Sequence, residues 1–576
     1  MSSSDAHKPR EFKHDPAGGA AKIALENSVA ALRHIYNSTR TVVAYLPDEM
    51  WAKIFRHTIG NFSGYDSHRF AFAQVCKRWR EIAFADAALW KDLSSDHPMW
   101  MLKSLTLSRS LPLHVNIAIN YGTGLVLDTV VFTILTELDR IETLSIAVSD
   151  VNTMSKFLDC MPGHGSASVM KTLRLSILNK LHVTSLPRDL FRGGFDAVRT
   201  LRLDNCAPSW DSCMSHNLTT LEINLPTFTR GTLNQTAHIQ SLLKLLSHIP
   251  ALERLTLVNC MISIYREDWW DEANPSAVDP AWPTVHFPAL THLTVEDEIL
   301  STCAFLIKLR LPSAFFVKLT CASDIEDVLT LPPLFDAIKV ALPVEFGRTM
   351  ERLRLEGVRS ASLRVTGSSP DGDCFDASST VTSPTVIIWL TWAPWGENRV
   401  PQFLDALLDT GFLTSVRFLQ ISTLQLLSRA EWVNLFEAVP GVESIYLRGE
   451  GLPGLQDALT VDDGYCDHCD DNSIAGGHIE PLLLPALRSL HAERCELHSA
   501  EGFGSFLRQR LDANHGLQRL QITCCRGFTA LSVADIDELV DELQWDELYG
   551  WQEESDDESV DLDGRAFYAD DFYSSD

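Results

Sequence analysis

The sequence predicts an α/β chain: a small N-terminal helical unit followed by an irregular right-handed solenoid of strands and helices. Three observations predict it. Apolar residues recur at helical spacing between Leu46 and Leu93. A phrase of the form apolar–x–x–Leu–x–apolar returns from Leu102 to Ile522. Helical stretches that stop at proline or glycine lead directly into several of these phrases.

The helical unit opens LPDEMWAKIFRHT, continues FAQVCKRWREIAF and closes on Leu89-Trp90. Leu46 is expected just outside a helix with Pro47 at its first position, where the missing N–H costs nothing. Asp48 and Glu49 then fall in the first turn, which the helix dipole favours. Met50, Ile54 and Phe55 follow at helical spacing. A second helical run over Ser67–Phe84 carries Phe70, Ala73, Val75, Cys76, Trp79 and Ile82 on or near one side. So small a unit buries little core and needs a partner or neighbouring structure.

These residues resemble the F-box: the L-P-x-E opening, I-F one turn on, V-C-K-R-W in the later helix and L-W at the end. Their order and spacing carry the resemblance. It implies docking on the Skp adaptor of a cullin–RING ubiquitin ligase through Leu46, Pro47, Met50, Ile54, Phe55, Val75, Cys76, Trp79 and Trp90, some by contact and others by packing the helices. The Gly60–Asp66 loop is longer than the pattern leads one to expect. The alternative is a helical hairpin that merely packs on the rest of the chain.

The recurring phrase appears as LKSLTL (Leu102–Leu107), IETLSI (Ile141–Ile146), MKTLRL (Met170–Leu175), VRTLRL (Val198–Leu203), LTTLEI (Leu218–Ile223) and LERLTL (Leu252–Leu257). It returns as LTHLTV (Leu290–Val295), MERLRL (Met350–Leu355), VESIYL (Val442–Leu447), LRSLHA (Leu487–Ala492) and LQRLQI (Leu517–Ile522). Its last two apolar positions alternate, so each phrase suits a short strand with one buried face. Asn205-Cys206, Asn259-Cys260, Cys495 and Cys524 follow several phrases, at the position where a leucine-rich repeat turns inward and bonds adjacent backbone. Helical spacing is read over Leu233–Ile249, Gln402–Leu408, Trp432–Val439 and Phe503–Leu511. Strands lining one face in parallel with helices on the other would make a degenerate leucine-rich-repeat solenoid. An ordinary α/β domain with Leu-rich strands is the alternative.

The expected organisation is a disordered N-terminus over 1–21, a leading helix over 22–45, the F-box-like unit over 46–93, the repeats over 94–545 and an acidic disordered tail over 546–576, with a last helix over Ile536–Trp545. Insertions fall at 265–283, 366–385 and 449–481. The first carries Trp269, Trp270 and Trp282, candidate target-binding anchors because aromatic side chains bury much area with few rotamers to freeze. Packing of that loop is the competing reading. The second, Ser/Gly/Asp-rich, reads as a flexible loop.

The 576 residues leave room for more than one domain, and the net charge of −28 argues against non-specific nucleic-acid binding. Met1–Pro16 has no signal-peptide pattern and no apolar run suits a membrane span. The 13 scattered cysteines then read as reduced thiols of a cytoplasmic or nuclear protein. No catalytic constellation is visible. Cys466-Asp-His468-Cys469 offers half of a zinc site, with only His478 nearby, so neither metal nor cofactor is expected.

The whole-chain arrangement also resembles the large F-box families of mushroom-forming fungi, in which a segment like Ser108-Arg-Ser-Leu-Pro-Leu113 follows the F-box and a W-D pair like Trp545-Asp546 stands near the end. The resemblance implies a non-catalytic substrate receptor, whose solenoid captures an unidentified target. A leucine-rich interaction scaffold without a ubiquitin role is the alternative.

Overall fold

The computed structural model describes residues 16–40, 45–60, 70–96, 98–119, 125–160, 167–187, 190, 196–210, 215–226, 239–261, 282–313, 315–323, 331–343, 349–357, 362–369, 385–392, 400–422, 427–449, 455–459, 483–495, 500–526, 528 and 530–546. The chain divides into two compact units, Met1–Ser149 with Asp159–Arg174, and Asp150–Leu158 with Leu175–Asp576. A helical N-terminal region is followed by a mixed α/β region with a mostly parallel sheet. Among the described residues no helix is long and apolar enough to cross a membrane.

The first unit contains α1 (Pro16–Arg40), α2 (Asp48–Gly60), α3 (Phe72–Val75), α4 (Lys77–Ala85), a 3-10 turn (Ala87–Trp90), β1 (Asp92–Ser94), α5 (Pro98–Leu107), β2 (Leu113–Ile119), α6 (Leu125–Leu135) and β3 (Ile141–Val148). β1, β2 and β3 pair in parallel. Helix α1 begins at Pro16, so residues 16–21 are helical where the polar composition predicts disorder. The expected single run over Ser67–Phe84 is broken at Cys76, whose extended backbone (φ −154°, ψ 170°) lets its sulfur accept from the Trp79 N–H and start α4.

LKSLTL is helical, not a strand: it lies in α5, whose buried Met101 and Ser104 stand three apart, with buried Ser108 four further on at the turn that follows. Pro98 starts that helix. The Ser108–Leu113 segment is the turn from α5 into β2, with Arg109 left-handed (φ 55°) and Arg140 donating to Ser108 Oγ (2.9 Å) and the Leu111 carbonyl (3.1 Å).

In the second unit the strands are β4 (Thr200–Asp204), β5 (Thr220–Asn224), β6 (Arg254–Val258), β7 (His292–Glu298), β8 (Phe316–Ser323), β9 (Arg352–Gly357), β10 (Ser362–Ser368), β11 (Thr385–Trp392), β12 (Phe418–Ser422), β13 (Ser444–Arg448), β14 (Ser489–Glu493), β15 (Leu517–Thr523) and β16 (Val540–Trp545). Pairing runs in parallel from β4 through β8, passes to β11, then antiparallel to β10 and β9, and parallel again from β9 through β12 to β16. The expected uniformly parallel array is therefore interrupted once. Only residues 358–361 connect β9 to β10, which suits a hairpin; a parallel crossover needs about a dozen residues or more.

The predicted phrases supply β3, the strand Thr172–Ile177, β4 to β7, β9 and β13 to β15, each burying its alternate leucines. Helices Ile239–Ser247, Val400–Leu408, Arg429–Ala438 and Ala500–Asp512 stand at the four expected places. Ser428 opens the third with a capping box, accepting from Glu431 N while Glu431 accepts from Ser428 N. The expected last helix over Ile536–Trp545 is instead the end of a helix (Ala530–Asp537) followed by β16, because Val540–Trp545 pairs with β15. Thr366–Ser368 belongs to β10 and Thr385 opens β11, so the Ser/Gly-rich insertion is strand at both ends; residues 370–384 lie outside the described residues. The 449–481 insertion contains a helix at Leu455–Leu459. Residues 1–15 and 547–576 also lie outside the description.

Four strands end in one device. Asn205, Asn259, Arg494 and Cys524 adopt left-handed backbone (φ 57°, 52°, 53° and 52°), and the next residue in each case is a buried cysteine. The Asn205 side chain donates to the Ile177 carbonyl (2.6 Å) and Asn259 to the Leu225 carbonyl (3.0 Å). The thiols donate across the ladder, Cys260 to Ile223 O (3.3 Å) and Cys525 to Ala492 O (3.3 Å). Burial pushes the Cys206 thiol up to about 12, so it stays protonated. Asp546, after Trp545, accepts from the Cys524 N–H at 2.7 Å and holds the last such turn.

Replacing Asn259 separates the two parts of this device. Asn259→Ala loses the bond to Leu225 and strains the left-handed backbone, and is expected to cost about 2–3 kcal/mol. Asn259→Gly keeps the backbone relaxed and is expected to cost about 1 kcal/mol. Amide exchange of β6 and β7 measures both; equal effects would contradict the account.

Candidate functional site: an exposed apolar face on the N-terminal helices

The interior of the N-terminal helices is aromatic. Trp51 and Phe55 on α2 meet Trp79 on α4, with ring centroids 4.3 Å apart for Trp51–Trp79 and 5.3 Å for Phe55–Trp79. Phe72 stacks on Phe55 at 4.7 Å. A second layer stacks Phe70, Trp90 and Trp100, every pair within 5.6 Å. Trp90 is fully buried and its indole Nε1 donates to the Ala83 carbonyl at 2.7 Å, so the polar edge of this side chain is satisfied inside the core.

Charged side chains fix the ends of the helices. Arg78 donates to the Leu46 carbonyl (2.7 Å) and to Asp48 Oδ1 (2.7 Å), tying α4 to the start of α2. Arg80 donates to the Ala73 carbonyl across the break at Cys76 (2.9 Å). Arg56 forms a two-pronged pair with Asp86 at 2.7 and 2.9 Å, which raises the Arg56 pKa above its ordinary value. Asp86 Oδ1 also accepts from Ala88 N, capping the turn that brings Trp90 inward. The ion pair is partly exposed and serves geometry more than stability.

With the aromatic core filled, other apolar side chains remain outside. Met50 is 44% exposed, Ile54 40% and Val75 61%, and Pro47 is exposed beside them in sequence. Tyr45, at 77%, extends this set and carried no helical-spacing signal in the sequence. Leu46 and Trp79 are partly buried against the core, and Cys76 is partly buried as the α4 cap. The nine residues singled out in the sequence thus fall into three groups. Pro47, Met50, Ile54 and Val75 are outside, Phe55 and Trp90 are interior, and Leu46, Cys76 and Trp79 lie between. Apolar side chains exposed together on neighbouring helices are candidates for a docking surface.

Other candidates are not brought to this face. Trp282 is described and half-buried, whereas Trp269 and Trp270 lie outside the described residues, as does the Cys466–Cys469 segment. Among the described residues no group of three or more His, Cys, Asp or Glu could hold a metal ion.

Residues 43–96 match the F-box-like family. The match covers the exposed set and the aromatic core apart from Trp100. F-box domains generally bind Skp adaptor proteins, so the match assigns an adaptor-binding role to this region. Among curated proteins, none matches the chain.

Trp90 is expected to act through folding alone. Trp90→Ala should cost about 3–5 kcal/mol in this unit and raise proteolytic cleavage within residues 45–96 by about 100-fold or more. Trp90→Phe keeps the stack, leaves the Ala83 carbonyl without its donor, and should cost about 1–2 kcal/mol. Equal cleavage of both variants and the parent would contradict the packing described.

Proposed function

We propose that the chain is the substrate-recognition subunit of a Skp–cullin–F-box ubiquitin ligase. The F-box-like region docks the adaptor, and the α/β region, read as a degenerate leucine-rich-repeat solenoid of the kind found in mushroom-forming fungi, captures a target protein. The observation that carries the reading is the exposure of Met50, Ile54 and Val75 on helices whose aromatic interior is already closed. The chain contributes no catalytic residue in this reading. Docking holds a target near a ubiquitin-charged enzyme supplied by other subunits, so the gain is one of effective concentration. The left-handed Asn-Cys turns and the short parallel strands support the leucine-rich reading, since inward turns of this kind recur once per repeat.

Trp79 is a poor test of docking because it packs on Trp51, and its loss would disturb folding together with binding. Ile54→Asp and Val75→Asp are better, since both side chains face out. Each is expected to weaken co-purification of the full chain with the Skp adaptor by about 100-fold or more, because a carboxylate must be buried at the interface. Leu181→Asp, at a side chain 74% exposed elsewhere, should leave adaptor binding unchanged. Retained adaptor binding in both Ile54→Asp and Val75→Asp, or none in the parent chain, would overturn the reading and leave an interaction scaffold without a ubiquitin role.

A further inference from the structure

The inward turns that end four strands do not space their cysteines alike. β5 lies between β4 and β6, so Cys206 and Cys260 stand two strand spacings apart. That is about 9–10 Å, more than the roughly 7 Å that a disulfide spans between Cα atoms. At the C-terminal end of the sheet, the two turns fall on adjacent strands. β14 and β15 pair in parallel with Glu493 opposite Thr523, so Cys495 and Cys525, each two residues further on, share one rung. Neighbouring backbones lie about 4.8 Å apart, inside the range that disulfides occupy.

The two sulfurs also meet. Cys525 Sγ accepts from the Cys495 backbone N–H at 3.4 Å, and the Cys495 thiol hydrogen-bonds to it. Both side chains are buried, at 1% and 3% exposed. The bond from the Cys495 thiol outweighs burial and draws the Cys525 pKa below its ordinary value. The same bond, together with burial, raises Cys495. Cys525 is therefore the nucleophile of the pair, with a second thiol beside it to resolve what it forms. Cys524 is less buried, but burial and the Asp546 carboxylate raise its pKa and favour the unreactive thiol.

An oxidant reaches the pair through the last strand. Among the described residues β16 takes its ladder from β15, and none of its six side chains is buried. Asp546 holds the Cys524 N–H just beyond it. A strand so lightly covered opens locally more often than the sheet interior, and its opening uncovers the turn that carries Cys525.

We propose that Cys495 and Cys525 form a redox pair: hydrogen peroxide converts the two thiols to a disulfide that staples β14 to β15, and a dithiol reductant reopens it. The Cys525 thiolate attacks one peroxide oxygen. The S–O bond forms as the O–O bond breaks, and the departing hydroxide leaves as water with the proton Cys525 gave up. The Cys495 sulfur then attacks this sulfenic acid. The S–S bond forms, the S–O bond breaks, and the hydroxyl leaves as a second water with the Cys495 proton. The two thiols together lose two electrons and two protons, and one peroxide becomes two waters. The closed loop contains the helix Ala500–Asp512, so the staple ties the last strands of the sheet together. The inference is independent of adaptor docking and of target capture.

The test exposes the purified full chain, reduced and then freed of reductant, to hydrogen peroxide under native conditions. Remaining thiols are blocked and linked peptides are mapped by mass. A peptide pair joined through Cys495 and Cys525 is expected, and dithiothreitol should release it. Cys206 and Cys260, buried in the same kind of turn, should stay thiols and serve as a control within the same molecule. Amide exchange of β14 and β15 should slow about tenfold or more on oxidation. That slowing should be absent in Cys495→Ala and in Cys525→Ala. The linkage map of the parent chain needs no variant, so it decides the matter even where a variant misfolds. No linkage of Cys495 to Cys525 in the folded chain overturns the proposal, as does oxidation that runs to sulfinic acid without linkage. Equal reaction of Cys206 and Cys260, or a linkage that leaves exchange unchanged, also overturns it.

Discussion

Burial of Trp90 is the constraint on which the N-terminal unit depends. The indole sits between Phe70 and Trp100, and its one polar group is satisfied by the Ala83 carbonyl. The core around this turn, itself capped by Asp86, buries Trp51, Phe55, Phe70 and Phe72, while Met50, Ile54 and Val75 stay exposed. The interior and the exposed face are therefore one consequence of packing. Protein interiors close to crystal density, so residues that do not fit the jigsaw are left outside where a partner can cover them. The arginine ties of α2 and α4 act on the same geometry: Arg78 fixes where α2 begins relative to α4, and so fixes the relative position of the exposed side chains.

The second unit applies a different constraint. Each parallel strand pairs in register with the next, so outward side chains line up in rows across many strands, as Thr366, Arg354, Gln420, Tyr446, His491, Gln521 and Gln544 do. Buried leucines on the other side keep that register, because a slip of one residue would turn each of them to solvent. The left-handed turns end the strands at matching heights. The antiparallel excursion of β10 is the one departure among the described strands.

Much of this was legible locally. Pro47, Asp48 and Glu49 announce α2, and alternate leucines announce β4 to β7. The Asn-Cys pairs announced inward turns, and Asn205 and Asn259 make the expected backbone bonds. The failures are non-local. LKSLTL has the strand phrase, but Pro98 and the buried Met101 and Ser104 make it helix. Val540–Trp545 reads as helix until β15 offers it a ladder, and Thr366–Ser368 reads as loop until β9 and β11 pair on either side. Within the N-terminal unit, composition did not separate interior from exposed residues: Phe55 and Trp90 are as apolar as Ile54 and Val75, and only packing decides which pair is buried. The meeting of Cys495 with Cys525 gave no sequence signal, because the two become neighbours only through cross-strand register.

The central claim is that the face left outside by the aromatic core is the adaptor-docking surface. Amide exchange of the full chain, alone and with saturating Skp adaptor, tests it most directly. The account predicts added protection confined to the start and middle of α2, and to α3 with the beginning of α4. Residues around Trp90, already buried, should change little. Adaptor-induced protection elsewhere in the chain, with α2 to α4 unchanged, would contradict it.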